Sequence, residues 1–185
     1  MAQTKILVDT NTYLRLAKTL HPLLFTPFGA NEYCLYILPE LNSELLNSKL
    51  QNKFHWVSEQ SFVENRRYFP NIAKKQKKAI QETFDYLWDY VQTTLPGPSR
   101  IDTLYVAYAL ELETPLVTDD RDMTELAKTY EVDVMPTLDL LKLMLDSDHI
   151  NLETISGLFD YWKYLSDLPA NFYSDRRRLF PEWVG

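Results

Sequence analysis

This sequence predicts an α/β fold built on a parallel, doubly wound sheet, and three observations lead there. Short apolar runs alternate with amphipathic, helix-length segments between residues 115 and 145, the pattern of parallel strands joined by crossover helices. With 45% hydrophobic residues in 185, the chain can bury one well-packed domain and a modest appendage. Only four glycines against twelve tyrosines argue against disorder and against a loop-rich scaffold.

Residues 5–8 read as a short buried strand ended by Asp9-Thr10-Asn11, after which Tyr13, Leu14, Leu16 and Ala17 fall at helical spacing. Residues 33–38 are aromatic and apolar and make a second strand or extended segment. Pro39 suits the first turn of a helix running to about residue 50, with Leu41, Leu45, Leu46 and Leu50 on one face. A helix is expected over 58–68. A longer one opens at Pro70 or Asn71 and reaches about Thr93, its apolar positions being Ile80, Phe84, Leu87, Trp88 and Val91. Pro96-Gly97-Pro98 breaks the chain. Ser99 then caps a helix through about Leu112, with Asp102 three residues on. Strands at 115–118 and 132–135 alternate with helices at 120–130 and 137–145. From about Asp146 the composition turns aromatic (Phe159, Tyr161, Trp162, Tyr164), which predicts a helical then irregular extension, 146–185, packed on a 1–145 domain.

A single cysteine, Cys34, excludes an internal disulfide, and with no partner cysteine there is no zinc-knuckle pattern. The apolar run Ile6-Leu7-Val8 is too short for a signal-peptide core, and no stretch reaches the roughly 20 apolar residues of a membrane span. A cytoplasmic protein is expected. The net charge of −7 has the wrong global sign for phosphate contact. Locally, residues 65–80 hold Arg66, Arg67, Lys74, Lys75, Lys77 and Lys78 and no acid, and Arg176-Arg177-Arg178 form a second cluster. These are either a basic track for a nucleic acid or a solvated helix face and a polar tail.

The acids fall where elements begin or end. Asp9 ends the first strand, Asp102 lies in a helix's first turn, and Asp119, Asp120 and Asp122 follow the strand at 115–118. In an open parallel sheet these positions share one edge, where ligands bind. Converging carboxylates repel unless a cation neutralises them, and oxygen-only donors suit Mg²⁺ or Mn²⁺. Two such ions about 3.5–4 Å apart support phosphodiester hydrolysis. No histidine is needed, and His21, His55 and His149 lie away from the strand ends. Taken singly, each acid also has a structural reading as a helix cap or first-turn charge.

Ile6-Leu7-Val8-Asp9-Thr10-Asn11 resembles the opening strand and first acidic motif of PIN-domain ribonucleases. The segment Asp102-Thr-Leu-Tyr-Val-Ala-Tyr-Ala109 is similar to the third motif, and Leu116-Val-Thr-Asp-Asp-Arg-Asp-Met123 to the fourth, with Met123 in place of the usual Phe. For the second motif, a Glu on the helix after the second strand, Glu44 is preferred to Glu40 because it precedes Leu45-Leu46. The resemblance spans Ile6 to about Leu145. It implies a three-layer α/β/α fold with a mostly parallel central sheet. It further implies a metal-dependent endoribonuclease acting on single-stranded RNA and leaving 5′-phosphate and 3′-hydroxyl ends. Asp9, Glu44, Asp102 and Asp120 would form the acidic cluster, with Asp122 as an auxiliary ligand and Asn11 and Thr118 orienting a carboxylate or water. Many members are toxins silenced by an antitoxin protein, and many dimerise. The extension past Leu145 exceeds a minimal toxin of this type. A haloacid-dehalogenase-type phosphohydrolase also places an Asp after its first strand but needs a second two residues on, where Asn11 stands. It also expects a Lys near the third motif. A receiver-type domain wants paired acids directly after the first strand. A catalytically inactive PIN-fold binding module predicts gaps in the acidic set.

Overall fold

Alternation along buried strands decides how each face of the sheet is covered. A computed structural model describes residues 3–45 and 48–181. The chain runs β1 (Thr4–Val8), α1 (Thr10–Leu16), β2 (Tyr33–Tyr36), α2 (Leu41–Glu44), α3 (Ser48–Lys53), a 3₁₀ turn (His55–Ser58), α4 (Gln60–Asn65) and α5 (Lys74–Thr93). It continues through α6 (Arg100–Glu111), β3 (Leu116–Val117), α7 (Arg121–Thr129), β4 (Val134–Met135), α8 (Thr137–Asp146), α9 (Leu152–Leu165) and α10 (Phe172–Leu179). The strands form one four-stranded sheet in the order β2-β1-β3-β4, all pairs parallel.

Successive strand residues point to opposite faces, so the sheet divides the core in two. Ile6, Val8, Leu35, Ile37 and Val117 pack with Tyr13, Leu14, Leu141, Leu158 and Trp162 on one side. Leu7, Cys34, Tyr36, Leu38 and Leu116 pack with Phe84, Leu87, Val106, Leu126 and Ala127 on the other. Helices α1, α8, α9 and α10 therefore cover one face and α5, α6 and α7 the other. Each fully buried aliphatic side chain contributes about 1.5–3 kcal/mol, and β1, buried on both faces over Ile6–Val8, reads there as a continuous apolar run.

The element pattern follows the sequence except where tertiary contacts intervene. The helix expected over 39–50 is two short helices, α2 and α3; Leu46 lies outside the described residues. The helix expected over 58–68 contracts to α4. The long helix begins at Lys74 rather than Pro70 or Asn71, its first turn closed by the Gln76 side chain accepting from the Ala73 N–H at 3.3 Å. Past residue 146 the tail is more regular than expected, because α10 is a helix. The extension shares the core: Trp162 is fully buried, and its indole N–H donates to the Arg15 carbonyl at 2.9 Å. Phe159 and Phe172 meet edge-on at 4.9 Å. Among the described residues, no helix is long and apolar enough to cross a membrane.

Candidate functional site

Strand order makes the gap between β1 and β3 the switch point of the sheet. From β1 the chain passes to β2 on one flank, and from β3 to β4 on the other. Crevices at the carboxyl ends of such strands are where open α/β sheets bind ligands. Register pairs Val8 with Val117, so the next residues, Asp9 and Thr118, emerge side by side.

Asp9 caps α1, its Oδ1 accepting from the Thr12 N–H at 2.6 Å. Its Oδ2 accepts from the Thr118 hydroxyl at 2.6 Å. Only 3% of Asp9 is exposed. That burial pushes its carboxyl up to about 6 against the pull of the Thr118 and Thr12 hydrogen bonds, and the Asp119 charge adds to the rise. Thr118 also accepts from the Asp120 N–H at 3.0 Å, so one hydroxyl ties the first acidic motif to the last. Asp120 in turn caps α7, accepting from the Met123 N–H at 2.8 Å.

Glu44, at the end of α2, accepts a hydrogen bond from the Thr10 hydroxyl. Burial raises its carboxyl, and the Asp102 charge adds to the effect. Thr10 therefore brings Glu44, and not Glu40, to the residue next to Asp9. Asp102 closes a capping box on α6: the Ser99 N–H donates to its Oδ2 at 2.7 Å, and its own N–H donates to Ser99 Oγ at 3.2 Å. Asp122 is exposed on α7, where the loop before α6 crosses it so closely that a Cβ at Gly97 would lie 2.7 Å from its Oδ2. Any side chain at Gly97 would have to displace the Asp122 carboxylate. Asn11 is exposed, and among the described residues its side chain donates to no carboxylate.

Three assignments need correction or refinement. Arg66 leaves the basic track: it is 7% exposed and donates to Asn42 Oδ1, the Tyr13 hydroxyl and the Val57 carbonyl, the last at 2.6 Å. A guanidinium so bound is a bolt between α4, α1 and the 3₁₀ turn. Arg178 of the C-terminal cluster is tied to Asp139 and Asp175, each at 3.1 Å. Asp119 is taken up by Arg15 at 2.8 Å and by the Thr137 N–H at 3.0 Å. Arg67, Lys74, Lys75, Lys77 and Lys78 are exposed as expected, with Lys78 3.5 Å from Glu82. Lysines in the first turns of α5 oppose the positive end of its dipole, so helix stability does not account for them. His21 and His149 lie against Phe62 and Phe28, away from the acids.

Two participants were missed. Thr10 belongs to the first motif but had no role. Tyr105 is fully buried on α6 and its hydroxyl accepts from the Leu38 N–H at 3.3 Å. Burial drives that hydroxyl well above its usual range, and the Asp9 and Glu44 charges push it the same way. Its place one turn after Asp102 was the available signal.

The donors at this edge are all carboxylate and hydroxyl oxygens, a set that fits a hard divalent ion. Each oxygen of Asp9 accepts one hydrogen bond and keeps a further lone pair. The acids are held as a hydrogen-bonded chain rather than a closed cage: among the described residues, no three His, Cys, Asp or Glu side chains gather as a metal site. Comparison with family models, characterised proteins and solved structures finds no match for this chain.

Proposed function

We propose that this chain is a metal-dependent endoribonuclease with a PIN-like three-layer fold, hydrolysing single-stranded RNA at the carboxyl end of β1. The observation that carries the reading is the Thr118 hydroxyl, which donates to the Asp9 carboxylate and accepts from the Asp120 backbone N–H, with Thr10 holding Glu44 at the same edge. Four acids from separate parts of the chain are oriented by neutral donors rather than by counter-charges, and neutral donors leave their negative charge for a cation. Asp9, Glu44, Asp102 and Asp120 would hold Mg²⁺ or Mn²⁺, with Asp122 as an outer ligand. When bound, a pair of divalent ions activates a water and stabilises the leaving oxygen. The protein's own part is positional: the Thr12 N–H and Thr118 hydroxyl fix the Asp9 carboxylate, and Thr10 fixes Glu44. Lys74, Lys75 and Lys77 draw the phosphate backbone toward the edge.

The test is Mn²⁺-dependent cleavage of a single-stranded RNA by wild type and by Asp9→Asn. Cleavage by wild type and its loss in the variant are expected, together with a metal-induced rise in melting temperature for wild type alone. A second reading, a PIN-fold binding module without catalysis, is favoured by the open spacing of the acids. It gives neither cleavage nor a metal-induced shift. The narrower form of the proposal, a toxin held by an antitoxin, requires a small protein encoded beside this chain that blocks the cleavage.

A further inference from the structure

Past Glu44 the acidic edge opens into a groove of about 540 Å³ between α2, α5 and α6, within the roughly 300–1,000 Å³ of ligand pockets. Phe84 is part of its apolar floor, Lys77 and Arg100 are its cations, and Glu40 and Tyr108 complete the wall. The Arg100 guanidinium lies over the Phe84 ring, 5.1 Å from its centroid. Glu40 is the anomaly. One of its carboxylate oxygens, Oε2, is closed off from solvent and has no hydrogen-bond partner among the described residues. A buried acceptor left unmade costs free energy, and a turn of the Glu40 side chain into the groove lets a ligand with matching donors recover it. Glu40 and Tyr108 both line the groove, and the Glu40 charge adds to the burial that raises the Tyr108 hydroxyl.

We infer that this groove is a base-recognition subsite for guanine, with Glu40 accepting from the guanine N1–H and N2 amino group. The inference rests on the nuclease reading of the adjoining edge. Among the bases, only guanine presents two neighbouring donors on its Watson–Crick edge. Adenine and cytosine set one donor beside an acceptor, and uracil sets one between two, and an acceptor facing a carboxylate repels it. The apolar floor and the Arg100 plane suit the flat faces of a base, and Lys77 with Arg100 suits the flanking phosphates. Because Glu44 belongs both to the groove and to the acidic edge, a guanine seated here places its neighbouring phosphodiester toward Asp9 and Asp120. Cleavage is then expected beside guanine.

The experiment is titration of the full chain, without divalent ions, with the 5′-monophosphates of guanosine, inosine, adenosine, cytidine and uridine, followed by calorimetry. The guanosine nucleotide should bind on the order of tenfold more tightly than the adenosine one, with inosine, which lacks the N2 amino group, between them. Glu40→Gln should bring guanosine and adenosine within about twofold, whereas Lys77→Ala and Arg100→Ala should weaken all five alike. Equal binding of guanosine and adenosine nucleotides by wild type, which needs no variant to fold, overturns the subsite. So does a guanine preference that survives Glu40→Gln. Absence of nucleotide binding overturns it as well and points to a protein occupant. The nuclease reading stands or falls separately: guanine selectivity without RNA hydrolysis keeps the subsite and removes the nuclease, and hydrolysis indifferent to guanine does the reverse.

Discussion

Asp119 lies between the Arg15 guanidinium and two donors of Thr137, whereas Asp120, one residue on, accepts from the Met123 backbone N–H. The contrast extends outward from these neighbours. On the side of α8, α9 and α10, charges are matched: Arg15 bridges Asp119 and Asp167 at 2.8 and 3.0 Å, and Arg178 reaches Asp139. At the switch point and in the groove beyond it, Asp9 is sealed in with neutral donors, and Glu40 keeps a buried oxygen with none. Matched charges hold the fold together. Charges left with neutral partners raise the energy of the free protein and lower it when a cation or donor-rich ligand arrives.

The largest effect should come from breaking the matched side. Arg15→Ala leaves Asp119, whose side chain is 10% exposed, without its counter-charge, and should destabilise the protein by about 3 kcal/mol in urea unfolding. Adding Asp119→Asn should recover part of that loss, since the orphaned charge is removed with it.

Next comes the division between the two neighbours. Asp120→Asn should lower RNA cleavage by roughly 100-fold or more, equivalent to about 2.7 kcal/mol, with the fold retained because Asn also caps helices. Asp119→Asn should do the opposite, costing stability and sparing cleavage. If both variants behaved alike in both assays, the two sides would not differ in role.

Another effect concerns protons. Asp9 titrates near 6 in the fold against 3.8 when free, so the folded state holds its proton more tightly than the unfolded one. The stabilisation this gives is fully present below about pH 4 and is lost as pH rises through about 6. The unfolding free energy of the metal-free protein should therefore show an added decline over that window, on the order of 3 kcal/mol in urea unfolding. Asp9→Asn should remove the decline, and Mn²⁺ should reverse it in wild type only.

The smallest effect tests α5. Neutralising Lys74, Lys75 and Lys77 should weaken RNA binding and lower its salt slope by about 0.7 per lost phosphate contact. At the same time thermal stability should rise by about 0.3 kcal/mol per lysine, as their opposition to the helix dipole ends. A fall in stability would return these lysines to a structural role.

Much of the site was legible because it depends on local rules. A buried apolar run ending in Asp9, a strand ending in Thr118, and the Ser99–Asp102 capping box are all written in contiguous residues. Arg66 misled because a residue inside a basic run looks solvated until a distant tyrosine and a carbonyl claim it. Glu40 and Glu44 could be ranked by motif, but the reason for the ranking is Thr10, 34 residues away from Glu44.

By itself, then, the sequence determined the parallel α/β class, the strand that carries Asp9, the caps that place Asp102 and Asp120, and the aromatic helix that closes one face. Hydrophobic periodicity and capping act within a few residues and need no knowledge of the rest of the chain. Tertiary structure decided which neighbouring acid would be neutralised and which left open. It also turned a basic track into one bolt and several exposed lysines, and set Glu40 in a groove without a donor. Those outcomes depend on burial and on partners as far off as Arg15 from Asp119, 104 residues apart, and electrostatic fates are fixed only when the chain has folded around them.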